Sequence, residues 1–256
     1  MKQMARAGNM KLKILGSGSS GNCYILENER SALIIECGVN IKLIKQGLDF
    51  NLSKVAGVLI SHEHQDHCKA IKDVMAAGLN VYTGKGTIEA MNITNNTHRI
   101  FRVNSMNTYN IGDFKVMPFD VKHDAKEPFG FLINHPECGN VLFITDTYYV
   151  PHTFKNINNI LIEANYCNEI VERKLKDDSI HGFVRDRVIQ SHMSIQTCKE
   201  LLKANDLTAV NNIVLIHLSD GNSNAQSFKQ QVEELTGKTV HIAGKNMVID
   251  LSKTPF

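Results

Sequence analysis

The sequence predicts an α+β fold in which mixed β-sheets are covered by helices, with residues 10–256 forming one domain. Three observations lead there. Strand-like and helix-like runs interleave along the whole chain, which favours sheets layered with helices. No repeat, low-complexity tract or Pro/Ser-rich linker divides it. A length of 256 residues with 43% hydrophobic content is enough to bury a full core.

Lys11–Leu15 alternates at period two, as a half-buried strand does. Gly16-Ser17-Gly18-Ser19-Ser20-Gly21-Asn22 then turns the chain; it lacks the Gly-Lys-Ser/Thr ending of a P-loop and no helical pattern follows it. Cys23–Glu27 and Ser31–Glu36 read as a hairpin closed by Asn28-Glu29-Arg30. Ile41–Gln46 is a short helix and Val55–Ile60 an apolar strand. Helical spacing of Ile71, Val74 and Met75 predicts a helix over Cys68–Ala77, stopped by Gly78. Asn80–Thr83 is a strand and Thr87–Met91 a helix. Strands are expected over Arg99–Val103, Phe114–Val121, Phe129–Asn134, Val141–Thr145 and Ile160–Glu163. Helices over Glu169–Leu175 and Ser194–Ala204 precede a buried strand at Ile213–Ile216. An amphipathic helix over Ala225–Leu235 and strands over Thr239–Ala243 and Met247–Leu251 close the chain.

Composition narrows the function. A net charge of +2 excludes a strongly basic nucleic-acid coat and an acidic tail protein. Six cysteines show no C-x-x-C pair and no disulfide-like spacing, which points to a reducing compartment, the cytoplasm. The longest apolar runs fall short of the ~18 residues a membrane helix needs, so no membrane partner is expected. Residues 1–9 carry Lys2 and Arg6 without an apolar segment behind them; they read as a disordered lead-in, with Met10 a candidate start.

The chemistry is concentrated in Ser61-His62-Glu63-His64-Gln65-Asp66-His67. Three imidazoles and two carboxylates follow directly on an apolar strand. Imidazole mixed with carboxylate suits Zn²⁺, Mn²⁺ or Fe²⁺ and not Ca²⁺. One turn cannot close two coordination shells, so further ligands must come from elsewhere. His123, Asp146 and His217 each stand just past an apolar strand, where a sheet presents rigid side chains to a cleft.

Together these residues resemble the metallo-β-lactamase fold superfamily, a four-layer αββα sandwich with its site at one edge. The resemblance covers nearly all of the chain from Met10. It implies that His62, His64 and His123 hold one divalent metal ion, that Asp66, His67 and His217 hold a second, and that Asp146 bridges both. A bridging aspartate argues against a true β-lactamase. Gly18-Ser19-Ser20-Gly21-Asn22-Cys23, His123-Asp124-Ala125 with Pro128 and Gly130, Thr145-Asp146-Thr147, and His217-Leu218-Ser219 with Asn222 resemble the YycJ (WalJ) family, regarded as DNA exonucleases acting from 5′ ends. Glu163-Ala164 and Ser191-His192-Met193-Ser194 are similar to elements of the tRNase Z type phosphodiesterases, where such a pair assists the leaving group.

The chain also departs from the pattern. Where the family has Asp-x-Gly it reads Glu36-Cys37-Gly38, so Glu36 is expected behind the ligands with a longer reach. Ser191 stands where the family often has Gly. The stretch 168–190 is variable, with five basic residues against five acidic ones among those weighed as a nucleic-acid arm, so none is expected there.

The implied reaction is hydrolysis of a phosphodiester by two divalent ions, Zn²⁺ or Mn²⁺. Asp66 would orient or deprotonate the attacking water. His192, oriented by Glu163, would protonate the leaving alkoxide. Asp124 is a supporting candidate, and Ser219 and Asn222 are candidates either to hold a terminal phosphate or to form a turn. The expected substrate is a DNA end. Alternatives are a small phosphodiester or other ester (a cyclic nucleotide, phosphonate-derived ester or lactone) and, from another class, a non-enzymatic metal-binding protein.

Overall fold

The structure, a computed structural model, describes residues 10–177 and 182–254. The expected lead-in over residues 1–9 lies outside the described residues. In chain order the strands are β1 (Met10–Gly16), β2 (Cys23–Glu27), β3 (Ala32–Ile35), β4 (Val55–Leu59), β5 (Val81–Thr83), β6 (Ile100–Arg102), β7 (Tyr109–Ile111), β8 (Phe114–Asp120), β9 (Phe129–His135), β10 (Gly139–Ile144), β11 (Ile157–Glu163), β12 (Asn212–Ile216), β13 (Thr239–Ile242) and β14 (Met247–Leu251). The helices are α1 (Ile41–Gly47), α2 (Gln65–Cys68), α3 (Ile71–Ala76), α4 (Lys85–Met91), α5 (Asn168–Lys176), α6 (Gly182–Ser191), α7 (Ile195–Ala204) and α8 (Ala225–Thr236).

The strands form two seven-stranded sheets, ordered β14-β1-β2-β3-β4-β5-β6 and β13-β12-β11-β10-β9-β8-β7. Alternation along the strands splits the apolar residues into three layers. Leu12, Ile14, Tyr24, Leu26 and Ile35 of the first sheet meet Phe114, Phe131, Phe143 and Val214 of the second. Ile25, Ile34, Val58 and Ile60 face the other way, onto Ile44 of α1 and Val74 and Met75 of α3. Leu142, Ile144, Ile160 and Leu215 pack beneath Cys198 and Leu202 of α7 and Phe228 and Val232 of α8. Helix, sheet, sheet, helix is the expected αββα order. Each fully buried Leu, Ile or Phe in these layers contributes about 1.5–3 kcal/mol.

The strand directions decide where the chemistry gathers. β8 and β10 each run antiparallel to β9, so they are parallel to one another, and β10, β11 and β12 are parallel in turn. Residues just past the C-terminal ends of all four therefore emerge at the same edge. In the first sheet β3 and β4 are parallel, so Glu36 and His62 also leave at one edge.

Several elements differ from expectation. The helix expected over Cys68–Ala77 begins only at Ile71, after a separate short helix over Gln65–Cys68, because Cys37 reaches into the gap: its amide donates to the His67 carbonyl at 2.8 Å and its carbonyl accepts from the Ala70 amide at 2.9 Å. Gly38 permits this approach, since a Cβ there would collide with the Asp66 carbonyl. The strand expected to reach Glu36 stops at Ile35, where Glu36 turns out at φ +64°. β7 and α6 were not expected. In α6 the run Arg185-Asp186-Arg187 breaks the apolar spacing, and Phe183 and Ile189 face solvent instead of a core.

Candidate metal centre

His62 leaves β4 after Ile60 and Ser61, both buried. The Ser61 hydroxyl lies 2.8 Å from His62 Nδ1, which leaves Nε2 facing Asp146 Oδ2 at 3.8 Å. His64 is the N-cap residue of α2, in extended conformation, and places its Nδ1 3.1 Å from His123 Nε2. His123 donates its Nδ1 proton to the Ser191 carbonyl at 2.7 Å, which bares Nε2. The rings of His62, His64 and His123 form a triangle with centroid separations of 4.7, 4.7 and 4.9 Å.

A second set lies beside it. His67 Nε2 is 3.3 Å from Asp66 Oδ2 and 3.3 Å from Asp146 Oδ2. His217 Nε2 is 3.5 Å from Asp66 Oδ2, and its Nδ1 is 3.2 Å from Asp146 Oδ1. Asp146 thus belongs to both sets, and within each the donor atoms lie within 4.8 Å of one another. Asp146 at φ +41° and His217 at φ +53° hold left-handed backbone conformations that non-glycine residues seldom adopt. Such positions cost about 1–3 kcal/mol each and persist only where the surroundings impose them.

The donor set fits divalent cations. His62 Nε2 and His217 Nε2 are buried, face into the cluster and have no hydrogen-bond partner among the described residues. A buried nitrogen left so costs about 1–3 kcal/mol, a cost that coordination removes. Electrostatics agree. Burial alone would raise the Asp146 carboxyl, but His217 and His67 outweigh it and hold it well below the usual carboxylate range. Burial opposes Asp66 too, and the adjacent His217 and His67 again lower it. Against a burial that disfavours charge, Asp146 and Glu36 push His67 well above the usual imidazole range. His217 is pushed up to about 10, with burial outweighed by Asp146, Asp66 and Glu163. Burial and the neighbouring His67 lower His62, which stays neutral and ready to ligate.

Glu163 and His192 adjoin the second set. His192 Nδ1 donates to Glu163 Oε1 at 2.7 Å. Burial opposes charge on His192, but Glu163 raises it overall. Glu36 is fully buried behind the ligands, where burial raises it; it accepts from the Ser61 amide and stands 3.6 Å from His67 Nδ1. Asp124 sits on the rim, 3.2 Å from His123 Nε2 and 3.8 Å from Arg187 Nε. Ser219 and Asn222 build the turn after His217: the Asn222 amide donates to Ser219 Oγ, and Lys174 Nζ donates to Asn222 Oδ1.

Two supporting residues escaped the sequence reading. Asn165 Nδ2 donates to the His217 carbonyl at 2.9 Å and lies 3.3 Å from its Nδ1. Asn22 Nδ2 lies 3.2 Å from His67 Nε2, while its Oδ1 accepts from the Gly18 amide at 2.8 Å. Asn165 is marked only by its place two residues beyond Glu163; Asn22 stands in the Gly18–Cys23 stretch that carries the family resemblance, with no role attached to it.

This edge cluster and its layered scaffold match a known family. The sequence fits the model of the "Beta-lactamase superfamily domain" over residues 34–218. The chain belongs to the β-lactamase superfamily. Within it, the chain is 33% identical over 177 residues to "Exodeoxyribonuclease YycJ" of Bacillus anthracis, a match spanning 63% of this chain and 65% of that protein, just under two thirds of its length. It is 30% identical over 231 residues to "Exodeoxyribonuclease WalJ" of Streptococcus pneumoniae, covering 83% of each. The metallo-β-lactamase fold protein YhfI of Bacillus subtilis superposes with a TM-score of 0.73 at 17% identity, covering 95% of this chain and 99% of that one. With this family and this donor cluster, the protein is a metal-dependent hydrolase of the superfamily. Among the described residues no helix is long and apolar enough to cross a membrane.

Proposed function

We propose that this protein is a dinuclear phosphodiesterase that degrades DNA from an end, in the cytoplasm. The observation that carries the reading is the sharing of Asp146 between two histidine-rich donor sets, with a Glu163–His192 pair against the second. His62, His64 and His123 would hold one ion, Asp66, His67 and His217 the other, and Asp146 both. The relatives named as exodeoxyribonucleases support the choice of DNA.

When bound, two Zn²⁺ or Mn²⁺ ions supply a water of lowered pKa and positive charge for the phosphoryl oxygens. The protein's own part is orientation and proton traffic. Asp66, held ionised by His67 and His217, would orient the attacking water or accept its proton. Glu163 favours the protonated form of His192 and fixes its Nδ1, so that Nε2 would carry the proton that passes to the departing oxygen. Glu36 holds His67 from its Nδ1 side and Asn165 holds His217 from behind, while Asn22 lies against His67 Nε2 on the cluster side.

The test is a cleavage assay with added Zn²⁺ or Mn²⁺ on 5′- and 3′-labelled single- and double-stranded DNA, beside bis-p-nitrophenyl phosphate. End-directed products from DNA support the reading. Turnover of the small diester with intact DNA would point to the second reading, a small-molecule phosphodiesterase, which the modest net charge of +2 favours because many phosphate contacts need many cations.

A further inference from the structure

An open cleft of about 840 Å³ adjoins the donor cluster, inside the ~300–1,000 Å³ range of small-ligand sites. It is lined by His123 and Asp124, by Tyr148, and by Phe183, Arg187 and Ile189 of α6. Three of these are large apolar or aromatic side chains left in water: Tyr148 is 45% exposed, Phe183 80% and Ile189 39%. Leaving them there forgoes burial energy that a core would have captured, so their grouping at one cleft marks a contact surface.

Tyr148 and α6 are both tied to the metal centre. At the end of α6, the Ser191 carbonyl accepts the Nδ1 proton of His123. Tyr148 is two residues beyond Asp146, and its amide donates to the Lys122 carbonyl at 3.1 Å, beside His123. The charges have a direction too. Asp186 is paired with Arg185 at 2.6 Å, whereas Arg187, 67% exposed, lines the cleft and makes only a longer ion pair, 3.8 Å, to Asp124. Exposed aromatic side chains with a guanidinium beside a phosphate-seeking centre are what an unpaired nucleobase stacks on.

We propose that Tyr148 and Phe183 form a stacking wall for the base of the nucleotide next to the scissile phosphate, with Arg187 steering its backbone. This rests on the phosphodiesterase reading above and assigns its substrate an unpaired base at the cut. The ion-loaded full chain would be assayed on two diesters with the same leaving group. One is the p-nitrophenyl ester of thymidine 5′-monophosphate; the other is methyl p-nitrophenyl phosphate, which has no base. The quantity read is the ratio of kcat/KM for the first over the second. The wild type favours the nucleotide ester, and Phe183→Ala or Tyr148→Ala lowers the ratio ~10-fold, mainly through KM. Phe183→Tyr, which keeps a ring, retains it. Both side chains are exposed enough for the variants to fold. A wild-type ratio near one, or a ratio unmoved in both alanine variants, overturns the wall. Intact oligonucleotides with the ratio behaving as stated would sink the DNA reading alone and leave the wall supported.

Discussion

Glu163 Oε1 lies 2.7 Å from His192 Nδ1, across 29 residues of sequence. Its other oxygen, Oε2, accepts from the amides of Thr147 at 3.0 Å and Met193 at 3.2 Å. The carboxylate is therefore fixed by the backbone on one side and fixes an imidazole on the other. Such a histidine can present a proton at Nε2 in one orientation.

The first prediction concerns that proton. His192→Ala keeps its metal content but cleaves DNA or an alkyl diester about 10²–10⁴-fold more slowly. With a p-nitrophenyl leaving group, which departs without a proton, the loss is much smaller. Equal losses on both substrates would show that His192 does something other than donate. Because Glu163 raises His192, the acid form persists above the ordinary imidazole range, and activity on alkyl diesters falls as pH rises through that raised value. Glu163→Gln moves this alkaline limb to lower pH.

Asp146→Ala is expected to lose both ions, because its carboxylate belongs to both donor sets and lies within 3.8 Å of His62, His67, His123 and His217. Removing it leaves two imidazole-rich sets facing one another without the anion that holds them together. Elemental analysis after gel filtration is the direct measurement. Two ions still bound per chain would remove Asp146 from the bridging place. His123→Ala, by contrast, touches one set and should retain an ion in the other.

The histidine-rich turn was readable because its residue types and spacing are improbable in an ordinary turn, and the remote ligands because each follows an apolar strand. Glu36 was legible only as a departure from a family pattern. The asparagines were not legible. Asn22 and Asn165 act through amide groups that carry no charge and form many ordinary turns, so residue type does not separate them from turn residues, and the motif that holds Asn22 gives it no role. Helix α6 escaped for a physical reason as well: its apolar side chains face a cleft, so they lack the spacing that a core imposes. The break between α2 and α3 was hidden because Cys37, which causes it, lies far away in sequence.

Asn165→Ala tests the value of this hidden support. Asn165 binds the His217 carbonyl and lies against its ring, and partners behind metal-binding histidines typically govern 10–100-fold in affinity or activity. The variant should fold and keep the histidine triad of the other set. Titration with Zn²⁺ or Mn²⁺ should show one of the two affinities weakened by about that factor. A uniform loss at both sites would mean that Asn165 serves the fold rather than His217.

The last prediction joins pH to metal. His217 is held at about 10 in the folded protein, above the ~6.5 of an unfolded chain. A raised pKa means that its stabilising proton is fully bound below ~6.5 and is lost as pH climbs through about 10; His67 is shifted in the same direction. Protein stripped with a chelator should therefore melt at progressively lower temperature from pH 7 to pH 10. Divalent ions need the same nitrogens deprotonated, so their binding releases protons and tightens about tenfold per displaced proton for each unit of pH. The Tm gained on adding Zn²⁺ or Mn²⁺ should accordingly widen across the same interval. Calorimetric titration in two buffers of different ionisation enthalpy counts the protons released. A count of zero, with a Tm gain indifferent to pH, would mean that the ions bind somewhere other than at His67 and His217.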